Sequence, residues 1–197
     1  MFDNIFAKPE APPGPPRILF VCTGNICRSP LAEKLLAARL RERGSEFVTS
    51  SAGLMAVVGA SMEPQPSAIA VRNGAEPSHS ATQLTAAIAA ASTLILTMTR
   101  EQRSEVAREY PAALRRTFTL GEFTRILAEL PEQVPGPSAD RTLFDTVLSA
   151  SQYRGMVTLG DHDDIDDPYR RSNETHERVG GEIVARVDLL ASQILSD

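Results

Sequence analysis

The chain is short of the residues that staple, span or stack. Its 197 residues include 2 cysteines, 3 histidines, 3 tyrosines and no tryptophan. Two cysteines exclude a disulfide scaffold and fit a reducing compartment in which a thiol is kept for chemistry. No apolar run reaches the length of a membrane span; the longest, Leu84 to Met98, is broken by Thr85, Ser92, Thr93 and Thr97. Residues 1–16 lack the apolar centre of a secretory signal. A basic block is missing too, and 25 acidic residues face 20 basic ones for a formal charge of −5. That balance speaks against nucleic acid or an anionic membrane as the main partner. What is present, 42% hydrophobic and 23% charged residues, suits one soluble, cytoplasmic globular domain.

The 14 prolines are unevenly placed, five of them (Pro9, Pro12, Pro13, Pro15 and Pro16) lying within residues 1–16. This leader is expected to be extended and flexible, and a single domain is expected over 17–197 with an insertion near 111–163. Ile18-Leu19-Phe20-Val21 is a continuous apolar run, the pattern of a strand buried on both faces. Ser29-Pro30 predicts a helix start, and Leu31, Leu35, Leu36 and Leu40 carry its stripe toward Gly44. Further strands are predicted at 47–49, 92–98 and 118–120, and helices at 66–73, 99–110, 122–130, 141–152 and 174–196. The last helix carries Val179, Ile183, Val187, Leu190 and Ile194 on one face, and His162 and His176 are expected at the surface. Strands separated by helices, without hairpin signals, predict an α/β three-layer sandwich: a central four-stranded parallel sheet flanked by helices. Ligands bind such sheets beyond the carboxyl ends of the strands, which directs attention to Cys22.

The segment from Cys22 reads Cys-Thr-Gly-Asn-Ile-Cys-Arg-Ser-Pro. Five residues between Cys22 and Arg28 can curl into a ring of backbone N–H groups, and the following helix adds its positive end at the same point. Gly24 and Asn25 tolerate the left-handed backbone that such a curl needs. The planar fork of Arg28 can grip two oxygens of a phosphate. The same positive field favours a thiolate at Cys22, centred for in-line attack at phosphorus. By composition alone, a Cys-x5-Arg-Ser/Thr string arises in roughly one chain in fifty. A strand before it, a helix after it and Gly-Asn inside it make coincidence much rarer.

Placed near the N-terminus, this string resembles the phosphate loop of the low-molecular-weight protein tyrosine phosphatases. Thr49-Ser50-Ser51-Ala52-Gly53 resembles the second strand of that family, and Leu94-Ile95-Leu96-Thr97-Met98 a later one. His79-Ser80-Ala81-Thr82-Gln83-Leu84 resembles its His-x-Ala-Arg-Gln-Leu segment, with Thr82 replacing the arginine. Asp167-Pro168-Tyr169 resembles its Asp-Pro-aromatic motif. The motifs cover about residues 17–110 and 164–195. The resemblance implies a cysteinyl-phosphate mechanism without metal or cofactor. Cys22 is then the nucleophile, Arg28 and the loop Thr23, Gly24, Asn25, Ile26, Cys27 and Ser29 bind phosphate, and Asp167 is the general acid and base. It also implies a phosphotyrosine protein substrate, with a bacterial tyrosine kinase as one candidate.

Several residues carry two readings. Ser29 hydrogen-bonds the cysteine sulfur, as the resemblance implies, or caps the helix, and the two roles are compatible. Asn25 and His79 resemble the residues that support the loop. Cys27 is either a redox partner able to form a reversible disulfide with Cys22, as the resemblance implies, or a small buried filler. Residues 161–167 hold five aspartates; without them the acids also number 20, so the whole charge excess sits in that segment. Crowding of these carboxylates is expected to help keep Asp167 protonated, and Asp166 is the fallback. Met55, Ala56, Tyr169 and Arg170 are expected on the substrate rim, with no aromatic residue in 54–59. Arg170 and Arg171 either read an acidic substrate or solvate a loop. Ile26 resembles the tyrosine-specific branch of the family, because the protein-arginine phosphatase branch tends to carry Thr there. The rival functions are arsenate reduction with an external thiol and phosphate binding without turnover.

Overall fold

The computed structural model describes residues 10–158 and 160–195; the start of the Pro-rich leader lies outside them. Four parallel strands form one sheet in the order β2-β1-β3-β4. They are β1 (Arg17–Cys22), β2 (Val48–Gly53), β3 (Leu94–Thr97) and β4 (Thr117–Thr119). Around them lie α1 (Arg28–Glu42), α2 (Pro64–Arg72), α3 (Ala86–Ala91), α4 (Arg100–Glu109), α5 (Leu120–Glu129), α6 (Leu143–Tyr153) and α7 (Asn173–Ile194). β4 and α5 fall inside the segment 111–163 and belong to the sheet and its core.

Strand β1 shows why the apolar run is unbroken. Ile18 and Phe20 join a core with α1, α5 and α7, while Leu19 and Val21 face a second core with Ala89 of α3 and Val106 of α4. Successive side chains of a strand point to opposite faces, so a strand between two helical layers must be apolar at every position. The stripe of α7 is buried as its spacing predicts, but it starts a turn earlier, at His176, which is 6% exposed. The surface placement of His176 is therefore corrected: position 176 precedes Val179 and Gly180 by three and four residues and shares their face. His162 is exposed.

Three local differences from the sequence reading have plain causes. α3 is missed because its alanines merge with β3 into one apolar stretch; Thr85 caps it, accepting from the Ile88 N–H at 3.3 Å. α5 begins at Leu120 because Thr119 and Glu122 form a capping box, which takes Leu120 out of the strand. The residue preceding α1 is Cys27 and makes no side-chain cap, so Ser29 lies inside the first turn and is not the helix cap.

Candidate active site

β1 ends at Cys22 between β2 and β3, and the chain turns through residues 23–27 into α1. Asn25 occupies the left-handed region at φ 56°. This backbone costs a non-glycine residue about 1 kcal/mol and persists only where the surroundings fix it. They do: the Asn25 amide donates to Ser29 Oγ at 2.9 Å and to Ser51 Oγ at 2.9 Å, and its Oδ1 accepts from the Thr82 N–H at 2.8 Å. His79 Nε2 donates to the Asn25 carbonyl at 2.7 Å, and Ser51 donates onward to Glu33 at 2.6 Å. Ser29 Oγ lies 3.0 Å from Cys22 Sγ. Since Ser29 already accepts from Asn25, its own hydrogen is free for the sulfur, and a thiolate can only accept it. Among the described residues, no backbone carbonyl accepts from the N–H groups of 23–27. That is the condition for an anion-binding nest.

Two neighbouring segments hold the loop from outside. The N–H groups of Leu54, Met55 and Val57 donate to the carbonyls of Cys22, Thr23 and Gly24 at 2.9–3.0 Å. Gly53 makes this approach possible, because a Cβ there would stand 2.5 Å from the Thr23 carbonyl oxygen. Gln83 braces the same strip, accepting from the Ala56 N–H at 2.9 Å and donating to the Leu54 carbonyl at 2.8 Å. On the β3 side, buried Gln102 accepts from the N–H groups of Met98 and Thr99 and donates to Thr23 Oγ1 at 3.1 Å. Sequence reasoning missed Gln102 altogether. Its one local signal is its place three residues after Thr99, as the capping-box partner of α4.

The acidic segment crosses the same end of the sheet. The Ile165 N–H donates to the Met98 carbonyl at 2.8 Å, and Arg28 Nη1 donates to the Ile165 carbonyl at 3.0 Å. Arg28 Nη2 meets Asp167 Oδ2 at 2.5 Å, and Arg28 Nε is buried without a protein acceptor. Three neighbouring aspartates are engaged elsewhere: Asp163 with Arg125 at 2.7 Å, Asp164 with Arg100 at 3.0 Å and Asp166 with Arg178 at 2.7 Å. The expected crowding of carboxylates around Asp167 is thus corrected, because each of these is matched by an arginine from a different helix.

Cys22, Thr23, Gly24, Ile26, Cys27 and Arg28 line one cavity of about 220 Å³ together with Met55, Val57, Asp167 and Tyr169. Asn25 and Ser29 are fully buried and support the cavity without lining it. Of the expected rim, Met55 and Tyr169 face the cavity while Ala56 and Arg170 do not, and Val57 joins it unforeseen. Asp166 does not reach it. Burial first, and then nearby Cys22, Glu63 and Asp167, push the Cys27 thiol up to about 12, against the opposing pull of Arg28. Both cysteines are free. Among the described residues, no three His, Cys, Asp or Glu side chains are grouped to hold a metal.

A strand-end cysteine, a ring of N–H groups without backbone acceptors and an arginine share one cavity of an α/β fold, an arrangement suited to an oxyanion. The model of one family, low molecular weight phosphotyrosine protein phosphatase, matches residues 17–154, and the chain belongs to that family. The match runs past residue 110 into the stretch without motif resemblance and ends before the second resembling segment, 164–195. The chain is 42% identical over 107 residues to the probable low molecular weight protein-tyrosine-phosphatase AmsI of Erwinia amylovora, covering 54% of this chain and 72% of that one. It is 33% identical over 130 residues to the low molecular weight protein-tyrosine-phosphatase Ptp of Acinetobacter johnsonii, covering 65% and 84%. The solved arginine phosphatase YwlE of Geobacillus stearothermophilus superposes with a TM-score of 0.67 at 28% identity, covering 90% of this chain and 92% of that one.

Proposed function

We propose that this protein hydrolyses phosphotyrosine on protein substrates through a phosphocysteine at Cys22. The observation that carries the reading is the convergence of Cys22, Arg28 and Asp167 on a single cavity. In the first step the Cys22 thiolate attacks phosphorus and the bond from phosphorus to the tyrosyl oxygen breaks. Protonated Asp167 delivers its proton to that oxygen, so tyrosine departs neutral. Arg28 and the N–H groups of the loop hold the three equatorial oxygens as their charge shifts. In the second step Asp167 takes a proton from water, the water oxygen bonds to phosphorus and the S–P bond breaks. The products are inorganic phosphate and the Cys22 thiolate, which Ser29 stabilises by its hydrogen bond.

The remaining walls favour an aryl group. Ile26, Met55, Val57 and Tyr169 line the cavity and offer apolar surface to a ring. The deciding assay compares p-nitrophenyl phosphate, a phosphotyrosine peptide and a phosphoarginine peptide with wild type and Cys22→Ser. The reading expects turnover of the first two, no turnover of the third, and none at all in Cys22→Ser. Preference for phosphoarginine, or thiol-dependent reduction of arsenate without phosphatase turnover, contradicts it. Phosphate binding without any turnover reduces the protein to a binding module.

A further inference from the structure

Building on the phosphotyrosine reading, we propose that the cavity mouth selects for the neighbours of the phosphotyrosine, an apolar residue on one flank and an acidic residue on the other. The cavity opens at the end of β1, which has β2 on one side and β3 on the other. The β2 side supplies the strip 54–58, and the β3 side supplies the segment anchored at Met98 that continues to Tyr169 and Arg171. The two lips differ in chemistry.

The β2 lip is apolar and exposed. Met55 is 70% exposed, Val57 51% and Val58 71%, and all three follow backbone that is zipped onto the phosphate loop or braced by Gln83. Three large apolar side chains held rigidly beside a cavity form a surface that gains by covering.

The β3 lip is cationic. The Arg171 N–H donates to the Pro168 carbonyl at 2.9 Å, closing a turn in which Arg170 takes φ 58°. That left-handed backbone folds Arg170 back, so its guanidinium stands 5.1 Å from the ring centre of Tyr169, which itself lines the cavity. Nearby carboxylates are committed: Asp167 to Arg28, Asp166 to Arg178 and Glu177 to Arg72. The Glu174 carboxylate is tied to Ser172 and to its own backbone N–H at the start of α7, contacts that hold it below the usual carboxylate range. Among the described residues, Arg170 and Arg171 have no carboxylate within ion-pair distance. Two cations beside the mouth therefore present positive charge outward, and the complementary group on a substrate is a glutamate or aspartate next to the phosphotyrosine.

The test is peptide binding to the Cys22→Ser protein, read by fluorescence anisotropy. It uses phosphotyrosine peptides that differ only in Glu against Gln on one flank and Leu against Ser on the other. From the usual range for exposed ion pairs, the Glu peptide is expected to bind about 1.5–5-fold tighter than the Gln peptide. The difference should collapse in about 1 M salt, where the Debye length is about 3 Å. In Arg170→Glu/Arg171→Glu the order of the Glu and Gln peptides inverts, a ratio that does not depend on overall affinity. Met55→Ser/Val57→Ser removes the preference for Leu over Ser. Equal affinities for Glu and Gln peptides overturn the proposal alone. Binding that does not depend on the phosphate overturns the phosphotyrosine reading, and this proposal with it.

Discussion

The loop 22–29 and the segment 163–171 meet at one cavity but are held in opposite ways. The loop is held from within and beneath: Asn25 bonds Ser29, Ser51 and Thr82, and Ser29 reaches back to Cys22. The acidic segment is held from outside, its aspartates pinned by arginines of α5, α4, α7 and α1. One site is thereby assembled from a rigid floor and a strapped wall. Local hydrogen bonds hold Cys22, the proposed nucleophile, while a long-range ion pair holds Asp167, the proposed proton donor, at the same cavity. Arginine suits the second task, since its planar fork meets a carboxylate in a defined geometry. Lys8 and Lys34 are the only lysines among the chain's 20 basic residues.

The contrast can be broken most strongly at Asp167. Asp167→Asn is expected to lower kcat on phenyl phosphate by about 10²–10⁴-fold. The loss should shrink for p-nitrophenyl phosphate, whose leaving group needs less protonation. Asp166→Asn should change either rate by less than about twofold, because its exposed pair with Arg178 lies off the cavity.

Next comes the floor. Asn25→Ala removes three buried hydrogen bonds from a residue in left-handed backbone, so urea unfolding should show a loss of about 2–4 kcal/mol. Asp164→Asn, in a half-exposed ion pair, should cost about 1 kcal/mol or less. If the two losses came out equal, the distinction between floor and wall would fail. Gly53→Ala pushes a methyl against the Thr23 carbonyl, and kcat should drop about tenfold or more through displacement of the loop.

The smallest effect is one of pH. Cys27 titrates near 12 in the folded protein, above its ordinary 9.0, so the fold favours the neutral thiol. Its contribution to stability is complete below about pH 9 and lost as pH rises toward 12. Cys27→Ala should flatten that alkaline decline in thermal melts. Iodoacetamide at pH 8 should leave Cys27 unmodified in the native protein.

The floor was legible in the sequence because its parts are contiguous: strand, Cys-x5-Arg and helix lie within residues 17–42. The wall was legible only as composition. Five aspartates in seven residues announce charge, but nothing local says that Arg125, Arg100 and Arg178 will take three of them. Gln102 was invisible for the same reason, its contact with Thr23 spanning 79 residues. His176 was misplaced through a helical stripe counted from one turn too late. Ser29 was read both as cap and as sulfur partner, and only the backbone separates these, since α1 begins at Arg28.

The proposed chemistry requires a phosphorylated Cys22. Asp167→Asn should slow hydrolysis of the phosphoenzyme more than its formation from p-nitrophenyl phosphate, because that leaving group departs without a proton while water still needs a base. Rapid acid quench of this variant, followed by peptide mapping by mass spectrometry, should find phosphate on the peptide carrying Cys22. The same experiment with Cys22→Ser should release no nitrophenolate. Turnover that survives Cys22→Ser, or phosphate captured on any other residue, would contradict the mechanism.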